Sequence, residues 1–369
     1  IAESEISNNE STRYGAILSY KLGGTLRIED SSISQNRGGS AGGMNIQYPT
    51  TVELVRSTIK GNTGFAGGIF NGSATLNIDQ STISSNEGSY VGGISNSGGT
   101  LNLNASTISG NTARGNIGSS VAGGLLGSAH LVNSTISGNL VDAANLDLND
   151  PYFGASVAGG WNASSGDNSM ENSTIAFNRV INAPAAAAAA GGVVGFYYSF
   201  EYYGYQYAGS ADIQTRNTLI ARNEVNAQPK DVWGRFVSGG HNLVGVLTPD
   251  ATGFVPSDLR GTAARPLDPR LSPLANNGGA TQTHRLNLFS PAINAGDNSG
   301  VPATDQRGFK RIALGVVDIG AYEFLSFPQR TDCALTSLLE DFDRRKGLLS
   351  GLLDHLVDQI ASRLVGMSH

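Results

Sequence analysis

Ser-Thr-Ile-Ser-Gly-Asn occurs at residues 106–111 and again, unchanged, at 134–139. Close variants stand at Ser31–Asn36 (SSISQN), Ser57–Asn62 (STIKGN), Ser81–Asn86 (STISSN) and Ser173–Asn178 (STIAFN). Weaker copies are Ser4–Asn9 (SEISNN) and Thr218–Asn223 (TLIARN). The closing asparagines, Asn9, Asn36, Asn62, Asn86, Asn111, Asn139, Asn178 and Asn223, are separated by 27, 26, 24, 25, 28, 39 and 45 residues. A recurrence of this size is the signature of a stacked repeat, and it governs how the rest of the chain is read.

Two further phrases lie between the asparagines. One is Gly-Gly plus an apolar residue: Gly42-Gly43-Met44, Gly67-Gly68-Ile69, Gly92-Gly93-Ile94, Gly123-Gly124-Leu125, Gly159-Gly160-Trp161 and Gly191-Gly192-Val193. The other alternates, as in Thr75-Leu76-Asn77-Ile78 and Thr100-Leu101-Asn102-Leu103. One unit therefore reads as three short strands divided by Gly, Asn and Ser turns. No run has a 3.6-residue period, which argues against helices here.

Strand side chains alternate, so the isoleucine of each phrase faces one side and its Thr and Ser neighbours the other. Stacking the copies gives an inward column of Ile33, Ile59, Ile83, Ile108, Ile136 and Ile175, ended by Ile6 and Ile220. One unit cannot bury its own isoleucine, but its neighbours can. The expected fold is all-β: a solenoid of about 25 residues per coil, rising ~4.8 Å per coil to a rod of ~40 Å. The asparagines suit left-handed turns and a ladder of amides. The glycines suit a close approach or a positive φ.

Gly-Gly-apolar alternating with apolar-x-x-Asn resembles the repeat pair of the polymorphic outer-membrane proteins and related bacterial right-handed parallel β-helix proteins. The apolar residue before x-x-Asn is often Phe there and is Ile here. The resemblance covers about residues 1–245. Residues 268–324 are similar to the segment that closes many secreted β-helix proteins, through Asp268-Pro269, Leu274–Gly279, Ser290–Asp297, Thr304–Gly308 and Val317–Glu323. The resemblance implies a right-handed parallel β-helix exported to a bacterial surface or beyond. It leaves surface structures, adhesins and polysaccharide-acting enzymes open. The series of alternating strands that would build a membrane barrel is missing from this sequence.

Composition agrees with a solenoid: 49 glycines and only 15% charged residues. The net charge of −6 without a basic cluster argues against nucleic acid. The single cysteine, Cys333, leaves no internal disulfide. No apolar stretch is long enough for a transmembrane span. The chain opens inside a repeat, so further coils or a secretory signal are expected to precede Ile1.

The division expected is 1–245 for the coils, 246–327 for a closing β segment and 328–369 for a helical tail. Two coils carry insertions, near 140–158 and 193–210, and loops on a tight scaffold are the first place to look for function. The first holds Asp142, Asp147, Asp150, Tyr152 and Phe153. The second holds Ala185–Ala190 and then Tyr197, Tyr198, Phe200, Tyr202, Tyr203, Tyr205 and Tyr207. This stretch reads as a hairpin with aromatics on both faces, too thin to bury them itself. Three uses are open: contact with another chain, cover for the rod's own wall, or stacking on sugar.

Catalytic signals are weak. The column before each phrase, Asp30, Arg56, Gln80, Ala105, Asn133 and Asn172, holds no stacked acids, whereas glycoside hydrolysis needs a carboxylate pair. Asp142, Asp147 and Asp150 are the nearest candidates, more readily read as loop caps. The five histidines lack metal spacing. Asp297, Asp305, Asp318 and Glu323 beside Arg307 and Arg311 suit either a calcium site or buried ion pairs and Asx turns. In the tail, Leu335, Leu338, Leu339, Phe342, Leu349, Leu352, Leu353, Leu356, Ile360 and Leu364 form an amphipathic stripe, which can dock on the solenoid, pair between chains or lie on a membrane.

The reading is an exported structural or adhesive surface protein that self-associates into an oligomer, layer or filament, or meets another surface protein, through the aromatic insertion and the coil ends. The alternatives are a polysaccharide lyase or glycoside hydrolase, and a carbohydrate-binding module.

Overall fold

The computed structural model describes residues 1–325 except 21, 116–119, 147–154, 196 and 203–204, with the backbone alone for 197–202 and 205–210. Among these residues every regular element is a β-strand. Long parallel sheets of 10, 12 and 16 strands run the length of the stack, and the chain is a parallel β-helix. The expected helical tail lies outside the described residues.

The coil that starts at Ser81 shows the plan. Thr82–Ser84 belongs to the first sheet, Glu87–Val91 to the second, and Ile94–Asn96 and Thr100–Asn104 to the third. Each coil thus has four strands, not the three expected. The unforeseen one follows the asparagine, where sequences such as Thr63-Gly64-Phe65-Ala66 show no clean alternation. The two faces of the third sheet merge because Val232–Ser238 pairs with both Val193–Gly195 and Ile213–Thr215.

Register confirms the isoleucine column rung by rung: Ile6, Ile33, Ile59, Ile83, Ile108, Ile136, Ile175, Ile220 and then Val244 lie directly above one another. All but Ile6 are buried, packed against Leu54, Ile78, Leu103 and Leu131 from the third sheet. Each fully buried isoleucine contributes ~1.5–3 kcal/mol. Trp161 is the largest wholly buried side chain, and its indole Nε1 donates to the Gly127 carbonyl at 2.8 Å.

The asparagines form the expected ladder. Each donates its backbone N–H and its Nδ2 to the Oδ1 of the next, as Asn86 does to Asn111 at 3.0 and 2.9 Å. The row runs from Asn9 to Asn223, which donates in the same way to Asp231. The left-handed residues are not these asparagines but their predecessors, including Gln35, Ser85, Phe177 and Arg222, with φ from 53° to 64°. The ladder holds the asparagine side chain inside, so the turn falls one residue earlier. A second left-handed corner uses Asp30, Arg56, Gln80, Ala105, Asn133, Asn172 and Asn217, with φ between 43° and 48°. The paired glycines answer a different need. A Cβ on Gly67 would sit 2.5 Å from the Gly92 carbonyl oxygen, so these corners need close backbone approach.

Residues 246–327 were expected to close the rod. They add one partial coil, in which Leu259 pairs with Leu243, and then turn back along the outer face of the first sheet. Thr281 Oγ1 reaches the Ala105 carbonyl at 2.9 Å, and Ala321 N–H reaches Thr174 Oγ1 at 2.9 Å. Residues 262–325 are thus a strap along the flank. Leu219, Ala221, Leu243, Leu286, Ala292 and Ile319 form the small core beneath it.

Candidate functional site

Three places off the regular coil could carry function: the aromatic insertion, the earlier insertion and the strap's charged knot. The aromatic insertion leaves the third sheet after Val193–Gly195 and rejoins it at Ile213–Arg216. Earlier coils turn this corner with only a few residues, as at Gly72–Ala74, Ser128–Ala129 and Ser164–Asp167. At its neck the two legs are close, since a Cβ on Gly195 would lie 2.9 Å from the Ala211 carbonyl oxygen.

Beyond the neck, Tyr197–Tyr202 and Tyr205–Ser210 form an antiparallel hairpin that pairs with none of the long sheets. Its register is Tyr198↔Gly209, Phe200↔Tyr207 and Tyr202↔Tyr205 on one face. On the other it is Tyr197↔Ser210, Ser199↔Ala208 and Glu201↔Gln206. Opposite residues share a face of a pleated pair. Five of the predicted aromatics therefore lie on one face, and Tyr197 alone on the other. Aromatics thus occur on both faces as expected, but five to one, an imbalance that pairing decides and composition does not reveal. Tyr203 lies outside the described residues.

The earlier insertion sits in the second sheet, which splits into paired runs over three coils: Thr112–Ala113 with Ser120–Ala122, Leu140–Asp142 with Ser156–Ala158, and Arg179–Ile181 with Ala188–Ala190. The alanine tract expected in a loop thus supplies a strand, in register with Ser156–Ala158. Between the runs lies a satellite core of Ala113, Val121, Val141, Ala143, Val157 and Val180. Asp142 Oδ1 accepts from Asn182 Nδ2 at 2.9 Å and from Ala144 N–H at 3.2 Å, so it ties two insertions together. Asp147, Asp150, Tyr152 and Phe153 lie outside the described residues.

The strap buries a charged knot. Asp305 Oδ2 accepts from Arg307 Nε at 2.9 Å and Nη2 at 2.6 Å, and both side chains are almost wholly buried. The Arg307 guanidinium lies 3.6 Å from the centre of the Tyr322 ring. Arg311 Nη2 donates to Asn172 Oδ1 at 3.0 Å. Asp318 accepts N–H groups of Asn294 and Phe324, and Glu323 those of Ala313 and Asp318. These oxygens face N–H donors, the pattern of buried ion pairs and Asx turns. Asp297 stands apart, accepting from Ser299. Among the described residues no three acids or histidines converge as metal ligands do.

Sequence reasoning passed over Asp231 and Asp258, which end the polar columns. Asp258 Oδ1 accepts the backbone N–H and Nδ2 of Asn242, each at 2.9 Å. Asp231 accepts from Asn223 and, through Oδ2, from Val246 N–H at 2.7 Å. Burial pushes the Asp231 carboxyl up to about 7, against the pull of those N–H donors. Burial also raises Asp318 and Glu323, and the neighbouring Asp318 charge raises Glu323 further. All three bind a proton more tightly folded than unfolded. Their stabilisation is complete below the ordinary carboxylate range and is lost as pH rises through the folded values. His284, lowered by burial, acts with the opposite sign only below its ordinary range.

Calorimetry should therefore show lower stability at pH 9 than at pH 6.5, by on the order of 2 kcal/mol. Asp231→Asn should narrow that gap, and equal melting temperatures at the two pH values would refute the burial argument.

No helix among the described residues is long and apolar enough to cross a membrane. A scan against protein-family models finds no match for this chain. A search of the curated proteins finds none either.

Proposed function

We propose that this chain is an exported contact protein of a bacterial surface, in which the β-helix is a stiff support and the hairpin's aromatic face is the contact surface. The observation that carries this reading is the hairpin register, which gathers Tyr198, Phe200, Tyr202, Tyr205 and Tyr207 on one face. Export to the surface rests on the repeat resemblance. Aromatic side chains bury 150–250 Å² each, and apolar burial yields roughly 25 cal/mol per Å². Five on one face can drive association after the entropy of binding is subtracted. The preferred occupant is a second copy or another surface protein, because a flat aromatic face suits a second apolar surface.

The hairpin is a better candidate than the C-terminal coil end, where Asp231 and Asp258 close the polar columns as hydrogen-bond acceptors.

Sedimentation tests the reading. Wild type should run as an assembly whose size grows with concentration. A variant with Thr at 198, 200, 202, 205 and 207 should run as a monomer with its β circular dichroism intact, while Tyr197→Thr should still assemble. A wild type that stays monomeric at high concentration would sink the proposal and turn attention to sugar stacking.

A further inference from the structure

The outward face of the first sheet carries one column of hydroxyl residues and a second in which Lys60 and Ala176 interrupt the serines. One runs Ser32, Thr58, Thr82, Thr107, Thr135, Thr174, each in register with the next. The other runs Ser34, Lys60, Ser84, Ser109, Ser137, Ala176. The strap covers only the later coils. There Thr107, Ser109, Thr135, Ser137 and Thr174 are buried. On the earlier coils Ser32, Ser34, Thr58, Thr82 and Ser84 remain half-exposed, and their hydroxyls bond to none of the described residues.

The covered half shows what this face binds. Gln306 bridges two adjacent rungs: its Oε1 accepts from Thr135 Oγ1 at 2.6 Å, and its Nε2 donates to Thr107 Oγ1 at 2.9 Å. The Gln282 carbonyl accepts from Thr107 Oγ1 at 2.8 Å. His284 Nε2 lies 2.7 Å from Ser137 Oγ. These strap groups are peptide carbonyl, carboxamide and imidazole. Thr58 and Thr82 repeat the Thr107–Thr135 pair one strand spacing apart, ~4.8 Å. A carboxamide can accept from one hydroxyl and donate to the next, as Gln306 does between Thr135 and Thr107.

We propose that the bare stretch of Ser32, Thr58 and Thr82, flanked by Ser34 and Ser84, docks a segment of a partner protein that presents a Gln or Asn side chain to it. The bare columns extend, in the same register and with the same residue types, an interface that polypeptide already occupies. The strap reaches its boundary at Thr281, bonded to Ala105, so a docked segment would continue its line. Lys60, exposed in the second column, can donate to a backbone carbonyl of that segment. This surface is distinct from the hairpin, and the inference does not depend on the hairpin's role.

The probe is a blocked synthetic peptide of the strap's own stretch around the bridging residue, Ala303–Gly308, titrated by calorimetry into the full chain. Binding should weaken at least tenfold in the Thr58→Val/Thr82→Val double variant, which removes hydroxyls at nearly constant shape. It should be retained in Thr58→Ser/Thr82→Ser, and melting temperatures check that both variants are folded. A peptide with Leu in place of Gln306 should also bind at least tenfold more weakly. The proposal is overturned if the peptide does not bind at millimolar concentration or binds the valine variant equally well. It is overturned too if a neutral oligosaccharide binds with the threonine dependence while the peptide does not.

Discussion

Aspartate in place of Ile108 will remove the cooperative thermal transition of the middle coils. Ile108 is wholly buried, with Ile83 above it and Ile136 below. The change forfeits ~1.5–3 kcal/mol of apolar burial and places a carboxylate in a dry stack, at a further cost of several kcal/mol. A domain's whole stability is ~5–15 kcal/mol. Since each coil touches only its neighbours, the damage will spread outward from residues 83–136, and hydrogen exchange will show it first there. Ile108→Val is the control, with a cost of ~0.5–1.5 kcal/mol. A variant aspartate protein that melts like wild type would remove the inward isoleucine column from this account.

The second large effect comes from a polar residue. Asn111→Leu will destabilise the rod about as severely as a core truncation, although it adds apolar bulk to a buried site. Asn111 accepts from Asn86 and donates to Asn139 and to the Ile83 carbonyl at 3.0 Å. Leucine leaves these groups buried and unpaired, at ~1–3 kcal/mol each. Asn9→Leu, at an exposed rung, should cost a small fraction of that, because water can replace what is lost. Denaturant titration of the two variants checks the contrast. Equal losses would mean that the ladder contributes by its shape alone.

Much of this was legible in the sequence because the fold repeats itself. Eight copies of one phrase give the isoleucine column its register without any knowledge of distance, and an amide at each copy's end makes a ladder the economical reading. What stayed hidden depends on pairing between unlike segments. The strand after each asparagine lacks alternation because it packs glycine and small residues against close backbone. Ala188–Ala190 looks like a flexible tract, yet it is held by Ser156–Ala158 beside it. The hairpin's aromatics are plain in the sequence, but the gathering of five on one face follows from the antiparallel register of its two strands. The path of the strap could not be read at all, because Gln306 meets Thr107 across 199 residues of chain.

The asparagine ladder also has a direction. Between rungs every amide donates to the one on its C-terminal side, and the last acceptor, Asp231, carries no side-chain N–H to hand on. Lengthening such a molecule is therefore asymmetric. A duplicated coil spliced between any two existing asparagines finds a donor on one side and an acceptor on the other, and the rod grows without a new end having to be invented. The same coil spliced after Asp231 would meet a carboxylate facing its own amide oxygen. Genetic expansion and contraction of this protein should accordingly vary the number of coils ahead of residue 231 and leave the terminator and the strap together as one inherited block.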